Sequence, residues 1–261
     1  MAQKVTTAMI TGASTGIGAV YADRLAKRGH DLVLVARNAE RLDQLAARLR
    51  AETGVSVDVM VADLTNSADL ARVEHRLQED AAIDLLINNA GSTLSGSFAE
   101  QDVDQVDWLI RLNVTAVTRL AHAAARRFVA QNAGSIVNIT SVLALVPEFG
   151  LGIYGATKSY VLSFSQGLQN QYAGTGIYVQ AVLPSATRTE IWDHAGKNID
   201  EVPGVMEVAD LVDAALVGFD RKEMITIPSL PAADVWENLE ATRQAMGPQF
   251  MNGQPAERYR I

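Results

Sequence analysis

Along this chain, apolar runs of strand length alternate with longer stretches of helical period. Residues 4–10 (KVTTAMI) and 31–37 (DLVLVAR) are continuous apolar runs. Between them, residues 17–29 (IGAVYADRLAKRG) bring an apolar side chain round every third or fourth position until Gly29 stops the pattern. Residues 39–54 form an amphipathic helix, with Leu42, Leu45, Ala46 and Leu49 on one face. The alternation then predicts a strand over 55–64, a helix over 67–80, a strand over 82–91 and a long helical tract over 103–130. Further strands are expected over 134–141, 176–184 and 223–228, with helices over 153–172, 207–219 and 232–246. Strands that are apolar throughout are covered on both faces, so they belong to a parallel sheet between two helical layers. About seven strands with no linker between them predict one doubly wound, mostly parallel α/β domain over 1–246. The Gly-, Pro- and polar-rich residues 247–261 read as a surface extension.

Composition narrows the possible partners. With 48% hydrophobic and 20% charged residues the chain is an ordinary globular protein with a substantial core. A net charge of -8 argues against a nucleic-acid partner, which would favour a basic face. The chain has no cysteine, which excludes disulfides, thiolate catalysis and cysteine-ligated metals. The four histidines, at 30, 75, 122 and 194, lack ligand spacing, so no metal is expected. No apolar run reaches the ~18 residues of a membrane span. The first residues run straight into a strand, so no signal peptide and a cytoplasmic location are expected.

The first candidate chemistry is the turn TGASTGIG at 11–18. Gly12, Gly16 and Gly18 follow the first strand and open a helix, where a backbone turns tightly and approaches a pyrophosphate. Ser14 and Thr15 add hydroxyl donors, and Ile17 starts the helix whose free N–H groups favour an anion. A glycine-rich turn alone is weak evidence, and the spacing departs from G-x-G-x-x-G. Its place after the first strand of an alternating sheet is where a dinucleotide crevice lies. At the end of the second strand, Ala36 stands where an acid would bind a ribose hydroxyl, and Arg37 follows. An arginine there suits a 2′-phosphate, so NADP(H) is preferred, with NAD(H) possible. A solvated surface arginine is the plain alternative. Asp63 and Leu64 end the third strand, beside the expected adenine, although Asp63 equally suits a helix cap. Asn89, Ala90 and Gly91 end the fourth strand, near the cofactor or as a simple Asn/Gly turn.

Tyr154 and Lys158 lie one helical turn apart in YGATK. By spacing alone such a pair is a solvated helix face. As chemistry, a tyrosine can protonate a developing alkoxide, and a neighbouring ammonium favours its phenolate. Ser141, in NITSV, can hold the substrate oxygen. Asn113, in RLNVT, is an unfavourable residue for mid-helix.

Taken together and in this order, TGASTGIG, NNAG (88–91), Asn113, Ser141 and YGATK resemble the short-chain dehydrogenase/reductase family over nearly the whole chain. The resemblance implies a Rossmann-type fold, a nicotinamide cofactor and interconversion of an alcohol with a ketone or aldehyde. It gives Lys158 the nicotinamide ribose and Asn113 a water in a proton relay. The family often continues past its sixth strand with Pro-Gly and a later threonine. Here Pro184 and Thr189 match, and Ser185 replaces the glycine. Thr189 is expected at the nicotinamide carboxamide.

Residues 186–205 are expected to form a lid, and Leu143, Phe149 and Trp192 to line a largely apolar substrate pocket. Val142, Leu145, Val146, Leu94, Phe98 and Ile191 are further candidates, some of them necessarily core. An apolar carbonyl or alcohol substrate is expected. The tracts 103–130 and 153–172 resemble those that pair subunits in the family, implying a homodimer or homotetramer. Two other readings are a non-catalytic NADP(H) sensor and an epimerase or dehydratase on the same fold. The sensor has no need of Ser141, Tyr154 and Lys158 together.

Overall fold

A computed structural model of the chain describes residues 6–149 and 152–260. The chain gathers into two compact units, Met1–Pro228 and Ser229–Ile261. The larger unit holds a seven-stranded sheet. Its strands are β1 (Thr7–Thr11), β2 (Asp31–Ala36), β3 (Val57–Val61), β4 (Ile83–Asn88), β5 (Gly134–Ile139), β6 (Ile177–Val182) and β7 (Ile225–Thr226). They lie in the order β3-β2-β1-β4-β5-β6-β7, and every pairing is parallel. The sheet is therefore wholly rather than mostly parallel. Between β1 and β4 the chain order reverses, which opens a crevice at the C-terminal ends of these strands.

The helices of this unit are α1 (Gly16–Lys27), α2 (Ala39–Thr53), α3 (Ser67–Glu79), α4 (Val103–Ile110), α5 (Val117–Gln131), α6 (Gly152–Gln171), α7 (Ile191–Ala195) and α8 (Val208–Asp220). Their ends follow local chemistry. The Asn38 side chain accepts from the Arg41 N–H at 3.0 Å and starts α2, and Gly54, at φ +76°, ends it. Alternate residues of β1 face opposite layers. Ala8 and Ile10 pack with Tyr21, Leu25, Leu42 and Leu216 on one side. Met9 packs with Leu70, Leu77, Leu120 and Phe128 on the other. Each fully buried side chain of this size contributes about 1.5–3 kcal/mol, so the two layers hold the strand ends firmly.

The expected helix over 103–130 is interrupted. Between α4 and α5, residues Arg111–Ala116 form a π-helical turn that contains Asn113. The last strand is much shorter than the expected 223–228, because only Ile225 and Thr226 pair with β6. No described helix is long and apolar enough to cross a membrane.

The smaller unit holds α9 (Ala233–Ala245) and two short 3₁₀ turns, Gly247–Phe250 and Glu257–Tyr259. None of its described residues is buried. Compactness thus divides the chain at 228/229, where the sequence suggested 246/247. The cause is α9, which carries the apolar positions of a helix but has no buried residue.

Candidate active site

The glycine turn, Arg37, Asp63, Asn89 to Gly91, Ser141 and Pro184 each follow the C-terminal end of a parallel strand, and α6 and the π-helical turn bring Tyr154, Lys158 and Asn113 to the same edge of the sheet. After β1, Gly12 and Gly16 take φ +65° and +54°, a region that side chains with a Cβ rarely occupy. The turn is tight as well as left-handed. A Cβ on Gly12 would lie 2.9 Å from the Ala90 Cα, and one on Gly18 would lie 2.6 Å from the Asn89 Nδ2. Asn89 is the brace of this turn. Its Nδ2 donates to the carbonyls of Thr11 (2.9 Å) and Gly12 (3.2 Å). The Thr11 hydroxyl in turn accepts from the backbone N–H groups of Asn89 and Ala90, both at 3.0 Å. Thr11 was not a sequence candidate, although it opens the glycine motif; a hydroxyl at a strand's last residue was the available signal.

Ser14 and Thr15 are half-buried, and their hydroxyls have no partner among the described residues. Thr15 starts α1 without a side-chain cap, and no acid stands in the helix's first turn. The N–H groups of that turn and two hydroxyls therefore remain available to an anion. Ile17 packs on the core beneath. Arg37, at the end of β2, is exposed and makes no ion pair or hydrogen bond among the described residues. Asp63 accepts from the Thr65 N–H (2.9 Å) and hydroxyl (2.7 Å), closing a turn, while Asn66 caps α3. Leu64 is buried in the core cluster that holds Met9.

The π-helical turn places Asn113 in the interior, where it is 1% exposed. Its Nδ2 donates to the Ser92 carbonyl (2.9 Å) and the Thr157 hydroxyl (3.0 Å), and its Oδ1 accepts from the Ser92 N–H (3.0 Å). The side chain thus clamps the end of β4 to α6, and both of its amide hydrogens are used in doing so. A π-helical turn at such a residue fits the tendency of these distortions to occur at functional sites.

Ser141 follows β5. Its hydroxyl accepts from the Leu143 N–H (3.1 Å) and donates to the Pro184 carbonyl (3.4 Å), which joins the β5 loop to the segment after β6. One turn into α6 stand Tyr154 and Lys158, the latter 5% exposed. Lys158 Nζ lies 5.6 Å from the centre of the Tyr154 ring and donates to the Ile139 carbonyl at 3.0 Å. A Cβ on Gly91 would lie 3.3 Å from both Lys158 Nζ and Asn113 Oδ1, so these three positions converge. Thr140 and Thr157, not anticipated from the sequence, complete the frame. The Thr140 hydroxyl donates to the Lys158 carbonyl and the Thr157 hydroxyl to the Tyr154 carbonyl, each at 2.7 Å.

The small residues between Tyr154 and Lys158 have a local reason. A Cβ on Gly155 would meet the Leu143 carbonyl at 3.3 Å, and Ser159 donates to the Ala144 carbonyl at 3.0 Å. α6 therefore lies directly against the Ser141 loop.

The electrostatics depart from the expectation that Lys158 lowers the phenol. Burial pushes the Tyr154 phenol up to about 12, with the Ser141 hydroxyl pulling part of the way back. Burial also pushes the Lys158 ammonium down to about 8. Desolvation disfavours both charged forms and is the larger or sole cause of each shift. In the free protein the pair is an acid held neutral beside a cation whose charge is costly.

Thr189 reaches the glycine turn: a Cβ on Gly16 would lie 3.2 Å from its Cγ2. Trp192 donates from Nε1 to the Thr187 carbonyl at 2.8 Å. A cavity of about 400 Å³ is lined by Gly16, Thr189 and Trp192, with Arg188, Glu190 and Lys197 among its charged walls. It is not the apolar pocket anticipated for 142–149 and 186–205. Leu143 and Phe149 are not among its walls, Phe149 is 71% exposed, and Val142 and Leu145 are half-buried, packed against the cluster of Leu162 and Leu183. A wider groove of about 740 Å³, lined by Met60, Ala68, Arg72 and His75 along α3, shares no residue with this site.

Comparison with known proteins points the same way as the geometry. The short chain dehydrogenase family model matches residues 6–200. The very-long-chain 3-oxoacyl-CoA reductase of Anas platyrhynchos is 34% identical over 190 residues, which cover 70% of this chain and 60% of that protein. The chain thus spans well under two thirds of that relative. Among solved structures, a short-chain dehydrogenase from Sphingobium yanoikuyae in complex with NADPH is 58% identical. Its TM-score is 0.96, with 98% of this chain and all of that one covered. A bulky-bulky ketone specific alcohol dehydrogenase from Comamonas testosteroni is 53% identical, with a TM-score of 0.93 and 99% and 100% covered.

Proposed function

The chain belongs to the short-chain dehydrogenase/reductase family of oxidoreductases, and on that premise we propose that it reduces ketones, and oxidises the matching alcohols, with NADP(H); its likeness to the bulky-bulky ketone specific enzyme supports bulky ketones as the class. The observation that carries the reading is the convergence of Ser141, Tyr154 and Lys158 beside the glycine turn, clamped by Asn113.

The residues present fit a phosphorylated dinucleotide. The glycine turn is a cradle that a Cβ at Gly12 or Gly18 would fill, and the hydroxyls of Ser14 and Thr15 have no protein partner. The unpaired Arg37 supplies a cation for the 2′-phosphate, where NAD-specific sites carry an acid. Gly12 to Gly18 would hold the pyrophosphate, Asp63 and Leu64 would flank the adenine, Asn89 to Gly91 would back the ribose, and Pro184 and Thr189 would face the carboxamide. Bound there, the nicotinamide supplies the hydride for the carbonyl carbon.

The chain's own residues manage the oxygen. The Ser141 hydroxyl would turn its single proton from the Pro184 carbonyl, a long 3.4 Å contact, to the substrate oxygen, while still accepting from the Leu143 N–H. Tyr154, a neutral phenol near pH ~7, donates its phenolic proton as negative charge develops on that oxygen. Lys158 stabilises the resulting phenolate and binds the nicotinamide ribose. Asn113 spends its amide hydrogens on Ser92 and Thr157, and Thr157 in turn donates to the Tyr154 carbonyl, so we assign it the positioning of the first turns of α6. Trp192 and the 186–205 segment would cover the substrate.

The test follows NADPH absorbance against ketones of increasing size on both sides of the carbonyl. Consumption with bulky ketones is expected. Replacing Tyr154 by Phe should lower turnover by about 10²- to 10⁴-fold and leave NADPH binding nearly intact. Retained turnover would remove Tyr154 as the proton donor. NADPH binding with no ketone reduced would favour the sensor.

A further inference from the structure

Segment 186–205 is rooted mainly in itself. The Arg188 N–H donates to the Met206 carbonyl (3.0 Å), and the Met206 N–H donates to the Ala186 carbonyl (2.8 Å). The Arg188 side chain pairs with Asp200 (2.8 Å) and Glu207 (3.0 Å). One link leaves this frame across the crevice. Glu190 directly follows Thr189, and both of its carboxylate oxygens lie 2.9 Å from Nη1 of Arg41 in the first turn of α2. No other hydrogen bond or ion pair among the described residues joins this segment to α2. The link therefore runs from the wall that carries Arg37 to the wall that carries Thr189. The pyrophosphate turn lies between, since Thr189 packs against Gly16.

We propose that Arg41 and Glu190 are a positioning pair that holds Thr189 over the glycine turn and thereby sets how long the dinucleotide stays bound. The inference rests on the NADP(H) reading above. Both side chains are about half exposed, at 47% and 57%, so the pair is weak enough to open in each cycle. It is also open to screening by salt. Neither residue is needed for the fold, because each lies outside the core.

The test measures dissociation rates of NADPH and NADH by stopped flow, with excess oxidised dinucleotide as trap. Glu190→Gln should raise both rates by the same factor, about threefold, as fits a surface ion pair. The double exchange Arg41→Glu with Glu190→Arg should bring both rates back toward the starting values, a recovery that general damage to the segment would not allow. High salt should erase the difference between the parent and Glu190→Gln. Unchanged rates, or failure of the exchange to restore them, would overturn the proposal. So would slower release of NADPH alone from Glu190→Gln, which would make Arg41 a phosphate ligand that Glu190 holds back. If the unmodified protein binds neither dinucleotide, the cofactor reading has failed and this inference falls with it.

Discussion

Replacing Lys158 by Met should abolish turnover and make the cofactor-free protein more stable. Burial lowers the lysine from 10.5 to about 8. At about 1.4 kcal/mol per tenfold change, holding its charge inside costs the folded state roughly 3 kcal/mol near neutrality. Methionine removes the charge at similar length. It also removes the charge-assisted hydrogen bond to the Ile139 carbonyl, a loss of about 2 kcal/mol. The net gain is about 1 kcal/mol, or roughly 3 °C in melting temperature for a chain of this size. The pH dependence is a sharper signature. The folded lysine has the lower pKa, so between about 8 and 10.5 the unfolded chain binds more protons, and the parent protein gains stability as pH rises through that window. The advantage of the variant should be full below pH ~8, shrink above it, and reverse before about 10.5, where only the lost hydrogen bond to the Ile139 carbonyl remains. Paired melts or denaturant titrations of the two proteins across this range, without dinucleotide, provide the measurement. A variant less stable than the parent near pH 7, or a gap independent of pH, would refute the reasoning.

Two further substitutions probe the cofactor crevice. Gly18→Ala places a Cβ 2.6 Å from the Asn89 amide and 2.8 Å from the Gly12 carbonyl carbon. It should weaken dinucleotide binding at least tenfold and destabilise the fold by about 1–3 kcal/mol despite alanine's better helix propensity. Calorimetric titration and a melt check both, and parental values would contradict the tight turn. Arg37→Ala should raise the KM for NADPH about ten- to a hundredfold, the loss of a charge-assisted contact, and leave the KM for NADH unchanged. Equal effects on both cofactors would remove Arg37 from the phosphate site.

Much of the site was legible because its parts are local. The glycine turn, Arg37 and the Tyr154–Lys158 pair each sit within a few residues of a strand end or a helix start. Their meaning is fixed by strand order, which alternating periodicity already implies. The supporting residues were not legible. Thr11 and Asn89 are 78 apart in sequence, and Asn113 and Thr157 are 44 apart, yet each pair meets within 3.0 Å. Such contacts have no periodic signature.

The sequence alone determined the parallel sheet and its two helical layers, since apolar strands must be covered on both faces, and it named the candidate reacting groups we propose. Tertiary structure decided the rest. It put a π-helical turn under Asn113, where a continuous helix was expected, because the amide serves Ser92 and Thr157 at once. It left Val142, Leu143 and Leu145 half-buried, with one side of the run packed on the sheet's flank and the other open. It also reversed the electrostatics of Tyr154 and Lys158. Spacing on a helix says only that two charges attract, and the cost of taking both out of water depends on what the fold packs around them.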